Sequence, residues 1–316
     1  MIVTVTLNAA LDRTLRVPNL QLGRRNRAND SLTLPGGKGV NVARALRLLG
    51  QPVITTGLAG GRIGTQIIEQ LTEEGVLNDF VRIRDESRSS MAVIDPTNGQ
   101  QTEINEYGPA VQADELDMLL EKVRYLSRGA EVFVIAGTLP RNVPGDFYAT
   151  LLNRLRQQKV TAALDAAGPE FLAALEGEPA IVSPNIFEAE EIVGQEFTDE
   201  EDIAAGAEAI TAMGAGGVLI HHEGGCLARL REPDDRTWRT WRAHLARRTD
   251  VVSTVGSGDA FLAGYLSESY AGGPVERCLA RAVACGAAST QSFGAGTFLM
   301  ADVEALLRQV EVTPLD

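Results

Sequence analysis

Two glycine-rich runs carry residue types that suit phosphoryl transfer. The later one extends from Asp250 to Phe261 and contains Gly256, Ser257, Gly258 and Asp259 in succession. Glycines at such a turn let consecutive backbone N–H groups approach an anion, and a helix N-terminus directly behind them adds partial positive charge. Asp259, in the first turn of the helix expected over 258–271, is placed to accept the proton of an attacking hydroxyl. An ordinary turn into a capped helix would use the same residues, so the rest of the chain has to decide.

The earlier run, Pro35 to Ala43, sets Gly36, Gly37, Lys38 and Gly39 before a helix expected over 38–49. It lacks the GxxxxGK[ST] form of a Walker A loop, and no GxGxxG follows the first strand, so P-loop and dinucleotide-binding readings both lose support. Lys38 and Asn41 stand one helical turn apart and offer donors and an acceptor that suit a polyhydroxylated phosphate ester.

Positioning these groups falls to an α/β chain. β-branched strand patterns over 2–7, 52–58, 131–136, 160–165, 180–183 and 217–221 alternate with helical patterns over 63–74, 113–127, 145–158, 186–193, 200–213, 275–291 and 301–310. That alternation predicts a mostly parallel sheet with crossover helices. Residues 11–35 hold no helix pattern, and residues 87–107 read as a hairpin around Pro96 to Gly99. Both are expected to form a small β-sheet lid outside the main sheet, with an exposed face able to pair with a second copy.

With 316 residues and 44% apolar content the chain can bury a large core. A formal net charge of −13 argues against general nucleic-acid binding. An anionic small molecule would need local positive charge, which Arg24, Arg25, Arg27, Lys38 and Arg88 could supply. The N-terminus lacks a secretory pattern, and no segment approaches the ~18 apolar residues of a membrane span, so a cytoplasmic protein is expected. Cys226, Cys278 and Cys285 have no CxxC spacing and read as buried small apolar residues. His221 and His222 read as surface or loop histidines, because neighbours on a strand face opposite ways and cannot share a metal.

Together the two runs closely resemble the signature regions of the ribokinase-like (PfkB) carbohydrate kinases. Further matches are the opening Thr6 to Asp12, the turn Gly137 to Pro140, and the segment Pro184 to Glu188. The resemblance covers the whole chain and implies a single kinase domain over 1–316, a three-layer α/β/α core with a mostly parallel sheet and a small β-sheet lid. Ser87-Arg88 and Thr102 to Pro109 look like the branch acting on phosphorylated ketohexoses, which includes 1-phosphofructokinase and tagatose-6-phosphate kinase.

The resemblance implies ATP-dependent phosphorylation of a primary hydroxyl, most simply fructose 1-phosphate to fructose 1,6-bisphosphate, with tagatose 6-phosphate as the alternative. A non-catalytic sugar-phosphate binding protein is the alternative from another class. Asp259 would be the base, and the N–H groups of Gly256, Ser257 and Gly258 the anion cradle for ATP. Asp12, Gly37 and Asn41 would hold sugar hydroxyls, Lys38 and Arg88 the substrate phosphate with help from Arg25 or Arg27, and Thr138 a further hydroxyl. Asn185 and Glu188 would organise Mg²⁺ through water, and a homodimer through the lid is expected. Two departures fall on the nucleotide side. Relatives usually carry lysine where this chain has Ser183, and a Ser/Thr-x-Gly turn where it has His221-His222-Glu223.

Overall fold

The computed structural model describes residues 1–232, 237–246 and 251–315. Asp250, the first residue of the later glycine-rich run, lies outside the described residues. The chain order is β1 (Ile2–Thr6), β2 (Ala10–Arg16), β3 (Asp30–Gly36), α1 (Lys38–Leu48), β4 (Val53–Gly60), α2 (Gly61–Glu73), β5 (Leu77–Asn78) and β6 (Val81–Ile83). Then follow β7 (Arg88–Asp95), β8 (Gln100–Asn105), α3 (Ala113–Leu126), β9 (Val132–Ala136), α4 (Phe147–Gln157), β10 (Thr161–Asp165), α5 (Pro169–Leu175) and β11 (Ile181–Val182). The last part comprises α6 (Ile186–Val193), α7 (Glu200–Ala212), β12 (Val218–His222), β13 (Gly225–Arg231), β14 (Trp238–Leu245), α8 (Ser257–Tyr270), α9 (Val275–Thr290), α10 (Met300–Leu307) and β15 (Val310–Leu315).

Among the described residues the main sheet has the order β15-β14-β13-β12-β11-β10-β9-β1-β4-β5, with β6 paired to β4. From β12 through β4 every pairing is parallel, as the alternation of strand and helix patterns predicts. Its central strands are apolar on both faces because helices cover both. Val40, Leu46, Phe261 and Leu279 pack on one side, while Leu119, Leu151, Phe171 and Ile210 pack on the other. Each such side chain contributes about 1.5–3 kcal/mol on burial. This is the three-layer α/β ribokinase-like arrangement that the motifs imply.

β13, β14 and β15 form an antiparallel extension that the strand pattern did not predict. α5 was also missed, and the helix expected over 301–310 stops at Leu307 so that the chain can enter β15. The two segments set apart by their sequence form a separate four-stranded sheet of order β3-β2-β7-β8. β2 pairs parallel with β7, with Asp12 opposite Ser90, and β7 and β8 form the expected hairpin. All three cysteines are buried and free. Among the described residues no helix is long and apolar enough to cross a membrane.

Candidate active site

A cleft of about 1180 Å³ opens at the C-terminal ends of the parallel strands, where their connections change direction, and the small sheet borders it. It gathers both glycine-rich runs.

Asp259 lies in the first turn of α8, behind Gly256 at φ 76, a backbone conformation that favours glycine. A Cβ there would come within 2.3 Å of the Gly296 amide nitrogen, so the turn also needs the missing side chain. The Ser257 N–H donates to the Thr254 carbonyl at 3.2 Å, so this amide of the expected cradle is already used within the turn. Among the described residues, the N–H groups of Gly256, Gly258 and Asp259 have no hydrogen-bond acceptor, which leaves a cradle with Asp259 in place of Ser257. The Asn41 amide donates to Asp259 Oδ2 at 2.8 Å, and both residues are buried. Asn41, expected at a sugar hydroxyl, thus orients the carboxylate, while its own Oδ1 is buried without a partner. Burial and the nearby charge of Asp165 push the Asp259 carboxyl up to about 7, against the opposing pull of Lys38 and Asn41.

Asp12 on β2 and Arg88 on β7 line the cleft from the small sheet. Burial raises the Asp12 pKa, against the charge of Arg88 and a hydrogen bond from the Gly37 amide. Arg88 donates to the Asn8 carbonyl at 3.2 Å and to Ser90 Oγ at 2.7 Å, and burial lowers its pKa. Asn8, unremarked in the sequence, joins this wall by donating to Thr138 Oγ1 at 3.1 Å and to the Tyr107 carbonyl at 3.1 Å. Gly37, Lys38 and Thr138 are in the wall as expected, and Arg13 is an unexpected cation there. Arg25 and Arg27 are not. They are exposed on the connection between β2 and β3, outside the lining of this chain's cleft.

At the other end, Lys38 Nζ contacts Asp165 Oδ1 at 2.7 Å and Glu188 Oε1 at 3.2 Å. Those two charges raise the Lys38 pKa although burial acts the other way. Asp165 was missed by sequence reasoning, although a carboxylate ending an otherwise apolar buried strand was a signal. Asn185 and Glu188 form a reciprocal capping box. The Glu188 N–H donates to Asn185 Oδ1 and the Asn185 N–H to Glu188 Oε2, each at 2.9 Å. Asn185 is thereby committed to fixing Glu188. Ser183 is buried with its hydroxyl unpartnered.

The reading of His221 as a surface or loop residue is corrected. It lies near the end of β12, its ring centroid 5.2 Å from that of Phe261, and its amide donates to the Pro184 carbonyl at 3.1 Å. A Cβ on Gly258 would meet this imidazole at 2.9 Å, so the ring sits directly against the anion turn. Burial, more than the charges of Lys38 and His222, lowers its pKa to about 4, which keeps it neutral near pH 7. His222 and Glu223 follow at the cleft mouth, where His222 Nδ1 lies 3.1 Å from the Glu223 carbonyl.

Known proteins share this architecture. Phosphofructokinase-2 from Escherichia coli, in complex with potassium, superposes with a TM-score of 0.88 at 27% identity over 97% of this chain and 98% of the other. A Thermotoga maritima protein described as a possible 1-phosphofructokinase gives a TM-score of 0.88 at 25% identity, covering 100% of both chains. Arabidopsis thaliana ribokinase, complexed with ribose and ATP, shares the fold at a TM-score of 0.75 and 22% identity, over 97% of this chain and 98% of that one. The model of the pfkB family of carbohydrate kinases matches residues 5–302, and the chain belongs to that family.

Proposed function

We propose that this sugar kinase transfers the γ-phosphoryl group of ATP to a primary hydroxyl of a phosphorylated ketohexose, with fructose 1-phosphate the first candidate and tagatose 6-phosphate the second. The observation that carries the reading is the pairing, in one cleft, of a buried Asp259 held by Asn41 against free backbone amides with the Asp12–Arg88 wall beside it. The first half suits an attacking hydroxyl and a phosphoryl group. The second suits a polyol that already bears a phosphate, because a guanidinium gives charge-assisted and bidentate donors to a dianion.

In this reading Asp259 takes the hydroxyl proton, and the oxygen forms its bond to the γ-phosphorus. The bond from that phosphorus to the β–γ bridging oxygen breaks, and its electron pair leaves on ADP. The amides of Gly256, Gly258 and Asp259 stabilise charge on the transferred group without reorganising. Asp165 and Glu188 already converge on one cation, the Lys38 ammonium, and their hard oxygens also suit Mg²⁺ held through water. Bound there, Mg²⁺ would neutralise charge on the nucleotide phosphates. Asn185 supports this by fixing Glu188 rather than as a ligand. We read residues 1–316 as one kinase domain with lid segments about 11–35 and 87–107, and expect a homodimer through the lid, a route by which Arg25 or Arg27 could approach a neighbouring cleft.

A coupled ADP-release assay with fructose 1-phosphate, tagatose 6-phosphate and fructose 6-phosphate tests the reading. Turnover with fructose 1-phosphate as the best substrate is expected. If none turns over with Mg-ATP while one still raises thermal stability, a sugar-phosphate binding protein is the better description.

A further inference from the structure

We propose that Gln101 is a positioning residue for phosphoryl transfer: from the small sheet it holds the approach to the anion turn, so the sheet that takes the sugar also sets where the transferred group is met. The inference rests on the kinase reading above and gives a role to a lid residue that no motif singles out.

The bonds of one carboxamide carry the argument. Gln101 stands on β8, opposite Ile94 of β7. Its Oε1 accepts from the Ser253 hydroxyl at 3.1 Å and from the Thr254 N–H at 3.3 Å. Its Nε2 donates to Glu103 Oε1 at 2.8 Å, and Glu103, two residues on along the same strand face, lines the cleft. The Thr254 N–H can only donate and the Glu103 carboxylate only accepts, so these partners fix which end of the amide is which. Among the described residues, both hydrogen bonds from 251–256 to the small sheet end on this one oxygen.

Packing does little to hold that approach, because Val251, Val252 and Thr254 are exposed. The Val252 and Ser253 N–H groups share the Thr290 carbonyl, at 2.7 and 3.1 Å. Ser253 is buried, and its hydroxyl oxygen accepts from the Val255 N–H at 3.3 Å while donating to Gln101. Thr254 passes the constraint on, since its carbonyl takes the Ser257 N–H at 3.2 Å and the Ser257 hydroxyl at 2.9 Å. The turn is thus pinned at two places, by Gly296 packed behind Gly256 and by Thr254 before it. The unpaired amides of Gly256, Gly258 and Asp259 take their direction from that turn. Asp12 and Arg88 lie on β2 and β7 of the sheet that carries Gln101. One element therefore presents the attacking hydroxyl and fixes the amides that meet the γ-phosphoryl group. Misplacing such groups by about 1 Å costs on the order of 10²-fold in rate.

Gln101→Met and Gln101→Glu, each checked by thermal melting, test this. Methionine keeps the length and loses every bond; glutamate keeps the acceptors for Ser253 and Thr254 and loses only the donor to Glu103. The turnover number is measured with saturating Mg-ATP and the sugar phosphate that the wild type turns over. Affinities for that sugar phosphate alone, and for AMP-PNP with Mg²⁺ alone, are measured by calorimetry. For Gln101→Met we expect kcat to fall by about 10- to 10²-fold, the cost of a displaced turn, with both affinities within about threefold of the wild type. Gln101→Glu should recover most of that rate. A kcat within about twofold of the wild type in Gln101→Met overturns the inference and leaves the kinase reading intact. So does a Gln101→Glu as slow as Gln101→Met, since the bond to Glu103, not the hold on the turn, would then carry the effect. A wild type that turns over no sugar phosphate overturns both. Should Gln101→Met fail to fold, Gln101→Asn, one methylene shorter, is read by the same criteria.

Discussion

The two ends of the cleft are built differently. Toward the small sheet, polar groups hold one another in place: Arg88 on Asn8 and Ser90, and Asn8 on Thr138 and Tyr107. Toward β11 and β12, the Ser183 hydroxyl is buried without a partner and a neutral His221 ring rests on the anion turn. Between them stands Asp259. On the kinase reading proposed above, the end that takes the sugar is organised before substrate arrives, whereas the end that takes the nucleotide relies on backbone amides and any metal it recruits.

The largest effect expected is at the junction. Asp259→Asn keeps the shape but cannot take a proton, so kcat should fall by at least about 10²-fold in the ADP-release assay. Unchanged turnover would remove Asp259 as base and dissolve the division into two ends. Because burial raises its pKa to about 7, kcat/KM should decline below neutral pH in the wild type. The same shift governs stability. The unfolded carboxyl ionises near its ordinary value of 3.8, whereas the folded one stays protonated to about 7, so stability falls as pH rises through that window. Asp259→Asn escapes that loss. It should be more stable than the wild type above pH 7, by an amount on the order of 4 kcal/mol at most, and the gap should close below about pH 4.

Arg88→Ala addresses the sugar end alone. Losing a charge-assisted contact to the substrate phosphate should cost about 1.5–3 kcal/mol, or roughly 10- to 150-fold in sugar-phosphate affinity by calorimetry, with a smaller change in the KM for ATP. An affinity that stays the same would place the phosphate elsewhere, with Arg13 the next candidate in the wall.

What the sequence disclosed follows the same division between local and assembled features. Lys38, Asn41 and Gly256 to Asp259 were legible because each run places its chemistry at one turn. Asp165 and Asn8 were not, because each takes part through residues distant in sequence: Lys38 lies 127 positions from Asp165, and Thr138 lies 130 from Asn8. The parallel strands were legible from their apolar runs. β13 and β14 were obscured by arginines and tryptophans, Arg229 and Arg231 lying over the Trp238 ring, so neither segment showed the apolar signal of a buried strand. His221 was misjudged for a related reason. The run His-His-Glu-Gly-Gly looks like a polar loop, and only the pairing of β12 beside β11 places its first imidazole against Phe261 and Gly258.

The smallest effect expected is at that imidazole. His221 is neutral near pH 7, so it supplies no charge to a nucleotide phosphate, and its ring fills space that a smaller side chain would leave open beside the Gly258 amide. His221→Thr would keep a hydrogen-bonding group and lose the bulk. Replacing one neutral donor by another alters about 0.5–1.5 kcal/mol, so the KM for ATP should change only about two- to tenfold, and sugar-phosphate affinity should not change. The direction is informative. A lower KM would mean that the ring obstructs the nucleotide, and a higher one that it donates to it. A comparable change in sugar-phosphate affinity would show that the two ends of the cleft are not independent, because Asn41 and Asp259 would then be transmitting a disturbance from β12 to the small sheet.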